Sequence, residues 1–153
     1  MWLYKLGRSF RYAGRGFAHV LRRERNLRIH LTAVFYVSWA GILGRLGGAE
    51  WALLWICFAM VIGAELFNTA IETLGNAVTR EKNETVGKAK DVAAGAVLVC
   101  AVGSVGAAAG IFGCTGAWKT VLRSLGSSTP LSVIAIATVP AAILFIRGRG
   151  TWK

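Results

Sequence analysis

The chain has 153 residues, 55% of them hydrophobic and 16% charged, with a mean hydropathy of +0.54. That balance excludes a soluble domain of this length and fits one small polytopic membrane protein. The net charge of +11 lies outside the apolar segments; without an aromatic-plus-basic strand pattern it points to anionic headgroups and topology, not to nucleic acid.

In chain order, residues 4–28 interleave Tyr4, Phe10, Phe17, Val20 and Leu21 with arginines, the pattern of an amphipathic helix lying in the headgroup plane. The first long apolar run, Ile29–Leu46, starts too late for a cleavable signal peptide and predicts a transmembrane helix over 29–48. Trp51–Val78 predicts a second, longer than a bilayer needs, which continues past the membrane surface. A third is predicted over 92–112, where Gly103, Gly106, Ala107 and Gly110 allow helix backbones to approach closely. Residues 114–129, containing SLGSSTP, read as an extracytoplasmic loop. A fourth apolar segment, Leu131–Ile146, predicts an extra transmembrane helix within a 130–153 unit that ends in a basic tail. Cys57, Cys100 and Cys114 have no CxxC spacing and read as small hydrophobes, not as a disulfide framework or zinc site.

The expected fold is therefore an all-α membrane protein: an N-terminal amphipathic surface helix, three core transmembrane helices and a fourth at the C-terminus. Basic residues alternate along it. Eight, from Lys5 to Arg28, precede the first segment, and only Arg45 follows it. Arg80, Lys82, Lys88 and Lys90 come next, then Lys119 and Arg123, then Arg147, Arg149 and Lys153. By the positive-inside rule both termini and the 79–91 loop face the cytoplasm, as in a multi-pass protein of the cytoplasmic membrane.

The second segment carries a polar stripe. Glu65, Asn68, Glu72 and Asn76 stand at offsets of 3, 7 and 11, which at about 100° per residue return to nearly one helix face. A carboxylate inside a membrane helix costs about 3 kcal/mol on insertion scales, so it persists where it faces partner helices, water, a metal or a substrate. Glu24, the stripe, and the Lys90–Asp91 pair should converge at one membrane surface. Those are the parts phosphoryl transfer uses: a base, carboxylates for a metal and a cation for developing charge. No GxxxxGK[ST] string or kinase HRD or DFG element occurs in the sequence.

The strings ERNLRIH (24–30), AELFNTAIE (64–72) and KAKDVAAGAVL (88–98) resemble those of the prokaryotic diacylglycerol kinase family. These are small integral-membrane lipid kinases whose Gram-positive branch acts on undecaprenol, and the ERN-x-RIH form resembles that branch. The resemblance covers roughly residues 5–113, within a kinase core taken as 1–113. It implies Glu65 as general base on the lipid hydroxyl, and Glu24 and Glu72 as Mg²⁺ ligands. Asn68, Lys90 and Asp91 fall to ATP and its phosphates, with Arg11 (or Arg15) and Gly16 bordering the nucleotide. It also implies a homotrimer with sites shared between neighbouring subunits.

Two departures stand out. Asn76 takes the place of the family's usual Asp, offering hydrogen bonds but no charge to a metal; the fourth apolar segment exceeds the family's three-helix core. The expected activity is ATP-dependent phosphorylation of a membrane alcohol, undecaprenol first and diacylglycerol second. A small transporter is disfavoured because the acidic residues gather at one end, and a non-catalytic scaffold because Glu24, Glu65, Asn68, Glu72, Lys90 and Asp91 are all present.

Overall fold

The computed structural model describes residues 2–79 and 81–148; Arg80, Arg149 and Lys153, counted above for topology, lie outside the described residues. Six helices follow one another: α1 (Trp2–Arg23), α2 (Arg25–Leu43), α3 (Gly48–Val78), α4 (Glu84–Cys114), α5 (Ala117–Ser127) and α6 (Thr129–Arg147). No strand occurs among the described residues.

The frame is the antiparallel hairpin of α3 and α4, each 31 residues and so about 46 Å long. Ser104 Oγ donates to the Cys57 carbonyl at 3.4 Å near its middle. Toward the connecting loop, Gly75 lets α4 close in, because a Cβ there would lie 2.8 Å from Lys90 Cε and 2.9 Å from Val86 Cγ1. Close approach was expected at Gly103, Gly106, Ala107 and Gly110, and within one chain none is made at the three glycines. A Cβ on any of these would meet nothing within 4 Å, because within one chain this face of α4 has no helix against it.

A small apolar core of Leu54, Phe58 and Ile111, flanked by Val34, Trp51 and Phe112, holds α2 to the hairpin at the end away from its loop. Burial stops there. The surface is 11113 Å², against about 7,500 Å² for a globular chain of this mass, and it displays Trp55, Leu98, Val102, Ile136 and Leu144. Such a surface belongs in hydrocarbon. Helices α3, α4 and α6 are long and apolar enough to cross a membrane. α2, the first of the four expected spans, does not reach that standard: Arg25, Arg28 and His30 occupy its first two turns, leaving 31–43 as its apolar part.

Four boundaries differ from the sequence reading. The third segment, expected from 92 after a 79–91 loop, begins as a helix at Glu84, where Asn83 caps it. The surface helix expected over 4–28 ends at Arg23, and Glu24 is extended at φ −95°, ψ 120°. The reason is Arg28. A continuous helix would use the Leu21 and Arg22 carbonyls for its own next turn; instead Arg28 Nη1 donates to both, at 2.9 and 3.2 Å. The first membrane segment, expected over 29–48, becomes Arg25–Leu43, because the chain turns at Gly44 and Arg45, the latter at φ 55°. The expected loop over 114–129 contains α5. Trp118, Val121, Leu122 and Leu125 recur at helical spacing and the helix lies against α2, α4 and α6, which overrides the weak propensity of Ser124, Gly126 and Ser127.

Arg28 also reaches across the bundle, where its Nε donates to the Ile146 carbonyl at 3.2 Å. One guanidinium, only 9% exposed, thus serves the carbonyl ends of α1 and α6, where both helix dipoles are negative. A second tie holds α6 midway along α2, Tyr36 Oη donating to Thr138 Oγ1 at 3.3 Å. Replacing Arg28 by Met would strip three carbonyls of their donor, and is expected to destabilise the chain by about 2–4 kcal/mol. Arg123→Met, on an exposed face of α5, should stay within about 0.5 kcal/mol. Thermal unfolding of both variants in detergent micelles checks the contrast.

Candidate active site

The 3.6-residue period sets Glu65, Asn68, Glu72 and Asn76 along one line of α3, and burial along that line is graded. Glu65 is 1% exposed, Asn68 is half-buried, and Glu72 and Asn76 are exposed. By rise alone Glu72 lies about 10 Å and Asn76 about 16 Å along the axis from Glu65. The stripe therefore runs from the packed bundle out along the projecting hairpin.

Glu65 sits where α1, α2 and α3 meet. Leu27 of α2 is fully buried, and Thr69, one turn on along α3, is buried with its Oγ1 donating to the Glu65 carbonyl at 3.0 Å. The side chain of Asn26 hydrogen-bonds its carboxyl group, and Glu24 and Glu72 are the charged neighbours acting on it. Its Oε2 is buried with no hydrogen-bond partner. A buried polar oxygen left without a donor is costly, and a chain that keeps one has a use for it.

Glu24 enters through the break between α1 and α2. Half-buried, its N–H still closes the last turn of α1 by donating to the Val20 carbonyl at 2.7 Å, while its extended backbone takes it out of both helices. Glu24 and Glu72 are hard oxygen ligands near enough to Glu65 for their charge to act on it. Among the described residues no three His, Cys, Asp or Glu side chains form a ready metal cage. A Mg²⁺ held partly by phosphate oxygens takes one or two protein carboxylates, so this pair fits such an ion.

Farther out, Lys90 Nζ donates to Asn76 Oδ1 at 2.7 Å, joining α4 to α3. Gly75 makes room for the lysine stem. The two side chains border an open, polar cavity of about 850 Å³ together with Thr79, Lys82, Glu84 and Gly87, within the size range of small-molecule sites. The hairpin end is firm here because the Asn83 Oδ1 caps α4 by accepting from the Val86 N–H at 3.1 Å. Asp91 is exposed one residue beyond Lys90.

Arg11 and Gly16 are not drawn into this group. Both are exposed on α1, whose buried residue is Val20; Arg11 stands about 13 Å up the helix from it, and a Cβ on Gly16 would meet nothing within 4 Å. Three residues that sequence reasoning passed over do matter here: Asn26, Arg28 and Gly75. The first two stand in the ERNLRIH string from which Glu24 was singled out as a site residue, so the signal was present. Gly75 had none, since its role appears only when α4 is against it.

The family model for prokaryotic diacylglycerol kinase matches residues 11–112. An undecaprenol kinase of Bacillus subtilis is 38% identical over 100 residues, covering 65% of this chain and 81% of that protein. A diacylglycerol kinase of Synechocystis is 37% identical over 99 residues, or 63% of this chain and 56% of that protein. No solved structure matches.

The Lys90 contact can be tested on its own. Gly75→Val is expected to drive Lys90 off Asn76 and weaken nucleoside triphosphate binding about tenfold, whereas Asn76→Asp keeps the contact as an ion pair and binding within about threefold. Titration of a fluorescent nucleotide into each purified variant reads both.

Proposed function

This chain belongs to the prokaryotic diacylglycerol kinase family, a family of membrane lipid kinases, and on that premise we propose that it phosphorylates undecaprenol with ATP. The observation that carries this reading is Glu65: a buried carboxylate with one oxygen free, at the point where a greasy bundle gives way to a polar hairpin. An acceptor whose tail stays in hydrocarbon brings its hydroxyl to that level without leaving the membrane. A soluble donor reaches the same level along the hairpin.

In the proposed reaction Glu65 Oε2 takes the proton as the lipid oxygen attacks the γ-phosphorus. The bond from that phosphorus to the β–γ bridging oxygen breaks, and ADP departs with the electron pair. Asn26 holds the carboxyl group in place, and Thr69 fixes the backbone beneath it. Lys90, aligned by Asn76, lies toward the donor's phosphates, with Asp91 and Asn68 on the same side. Glu24 and Glu72 are the residues that would hold Mg²⁺, which when bound offsets phosphate charge. Arg11 and Gly16 serve the nucleotide only if α1 folds over the hairpin or a neighbouring subunit's α1 does so. That requirement agrees with a homotrimer with shared sites, as does the large apolar surface left on a single chain. Undecaprenol is preferred to diacylglycerol because the match to the Bacillus subtilis protein takes in more of that relative's length. The cytoplasmic membrane, with the α3–α4 loop on the ATP side, is the matching location.

The test is phosphate transfer from ATP in mixed micelles, with undecaprenol and diacylglycerol offered in parallel. Wild-type protein is expected to favour undecaprenol. Glu65→Gln should lower kcat at least about 10²-fold, the scale of a lost general base, with the oligomer intact by size-exclusion chromatography. Near-normal turnover in that variant sinks the role given to Glu65; a preference for diacylglycerol moves the protein to glycerolipid synthesis.

A further inference from the structure

Beside the hairpin runs an apolar groove of about 690 Å³ between α2, α3 and α4, its far end lined by Trp118, Val121 and Leu122 of α5. Its polar lining is sparse, with His30 at one end and Ser104 farther along. Two helical offsets tie it to the active site. His30 lies one turn from Asn26, which holds Glu65, and Val61 in the groove lies one turn before Glu65 on the same face of α3. From Glu65 back to Leu54, also in the lining, is about 17 Å along α3. The groove thus comes within one helical turn of Glu65 at Val61 and runs through the apolar part of the bundle to α5.

α5 lies outside the 11–112 stretch that matches the family. Its place is set by Gly44, where a Cβ would meet Ala117 Cβ at 2.9 Å, and by its packing on α2, α4 and α6. Lys119 stands over the Trp118 ring at 5.7 Å from its centroid, so this short helix shows charge on one side and apolar residues to the groove. A helix of that kind lies at a membrane surface.

We infer that the groove holds the hydrocarbon tail of the lipid acceptor and that Trp118, Val121 and Leu122 of α5 determine which tails are accepted. The inference rests on the lipid-kinase reading above and adds to it a selectivity element outside the family core. Its occupant is an apolar chain whose hydroxyl end is at Glu65. A short alcohol ends before α5 and does not sense it. A long one meets Trp118 and Leu122 and leaves sideways into the bilayer.

The experiment has two arms on the full chain. In the first, kcat/KM is measured for undecaprenol and for farnesol with wild type, with Trp118→Ala/Leu122→Ala, and with Leu122→Met as the conservative control. The double variant is expected to change the long-to-short ratio at least tenfold, through KM, and Leu122→Met less than threefold. A ratio unchanged in the double variant overturns the inference; so does an equal loss on both alcohols with a changed oligomeric state, which gives the groove to a neighbouring chain's helix. In the second arm, independent of turnover, a polyprenol carrying a diazirine about 17 Å from its hydroxyl is photolysed with the protein, and the adduct is mapped. Label on residues 117–122 supports the inference, and label confined to other helices overturns it. Wild type that transfers phosphate to neither alcohol but labels α5 refutes the polyprenol-kinase reading while leaving the groove a lipid site.

Discussion

Everything polar in this chain is arranged around the cost of keeping Glu65 out of water. In hydrocarbon a carboxylate needs donors, and the fold supplies them from one direction only, through Asn26 of α2. The remaining oxygen is left facing no donor of the chain's own. Leu27 and Thr69 seal the surroundings, and the break at Glu24 brings a second acidic residue to the same place. Two further carboxylates near a buried one add repulsion, which raises the cost of keeping it there. Stability given up at this point is chemistry made available.

The rest of the bundle keeps that point at the boundary between two solvents. α3 and α4 are longer than the hydrocarbon layer, and the surplus falls on the side carrying Glu72, Asn76 and Lys90. Exposure along the polar stripe of α3 rises with distance from Glu65, from a side chain closed off by neighbours to the open side chains of Glu72 and Asn76. In the proposed reaction an acceptor anchored by its tail and a donor anchored by its phosphates would approach Glu65 from opposite directions. Neither has to cross the region that suits the other.

Much of this was legible in the sequence. The stripe on α3 follows from helical period alone, and the helices α3, α4 and α6 follow from apolar runs long enough to span a bilayer. Glu65 at the buried end and Asn76 beside Lys90 are where the spacing and the paired strings put them. What escaped the reading depends on tertiary partners. The break at Glu24 has no Pro or Gly to announce it and exists because Arg28 takes the carbonyls a continuous helix would use. Gly75 matters only once Lys90 lies over it. α5 had a readable stripe, Trp118, Val121, Leu122 and Leu125, masked by the serines and glycine around it. The small residues of α4 were read as a packing seam, and within one chain nothing packs there.

The Arg28 tie has a consequence for how the protein is made. Its two nearest acceptors, Leu21 and Arg22, leave the ribosome before it does, but the third, Ile146, follows 118 residues later. At about 5–20 residues per second that delay is about 6–24 s, during which the guanidinium sits at the bundle's polar end with one acceptor missing. The late-made α6 thus completes the region around the first helix break, and the tie between the two ends of the bundle forms only after α6 has emerged.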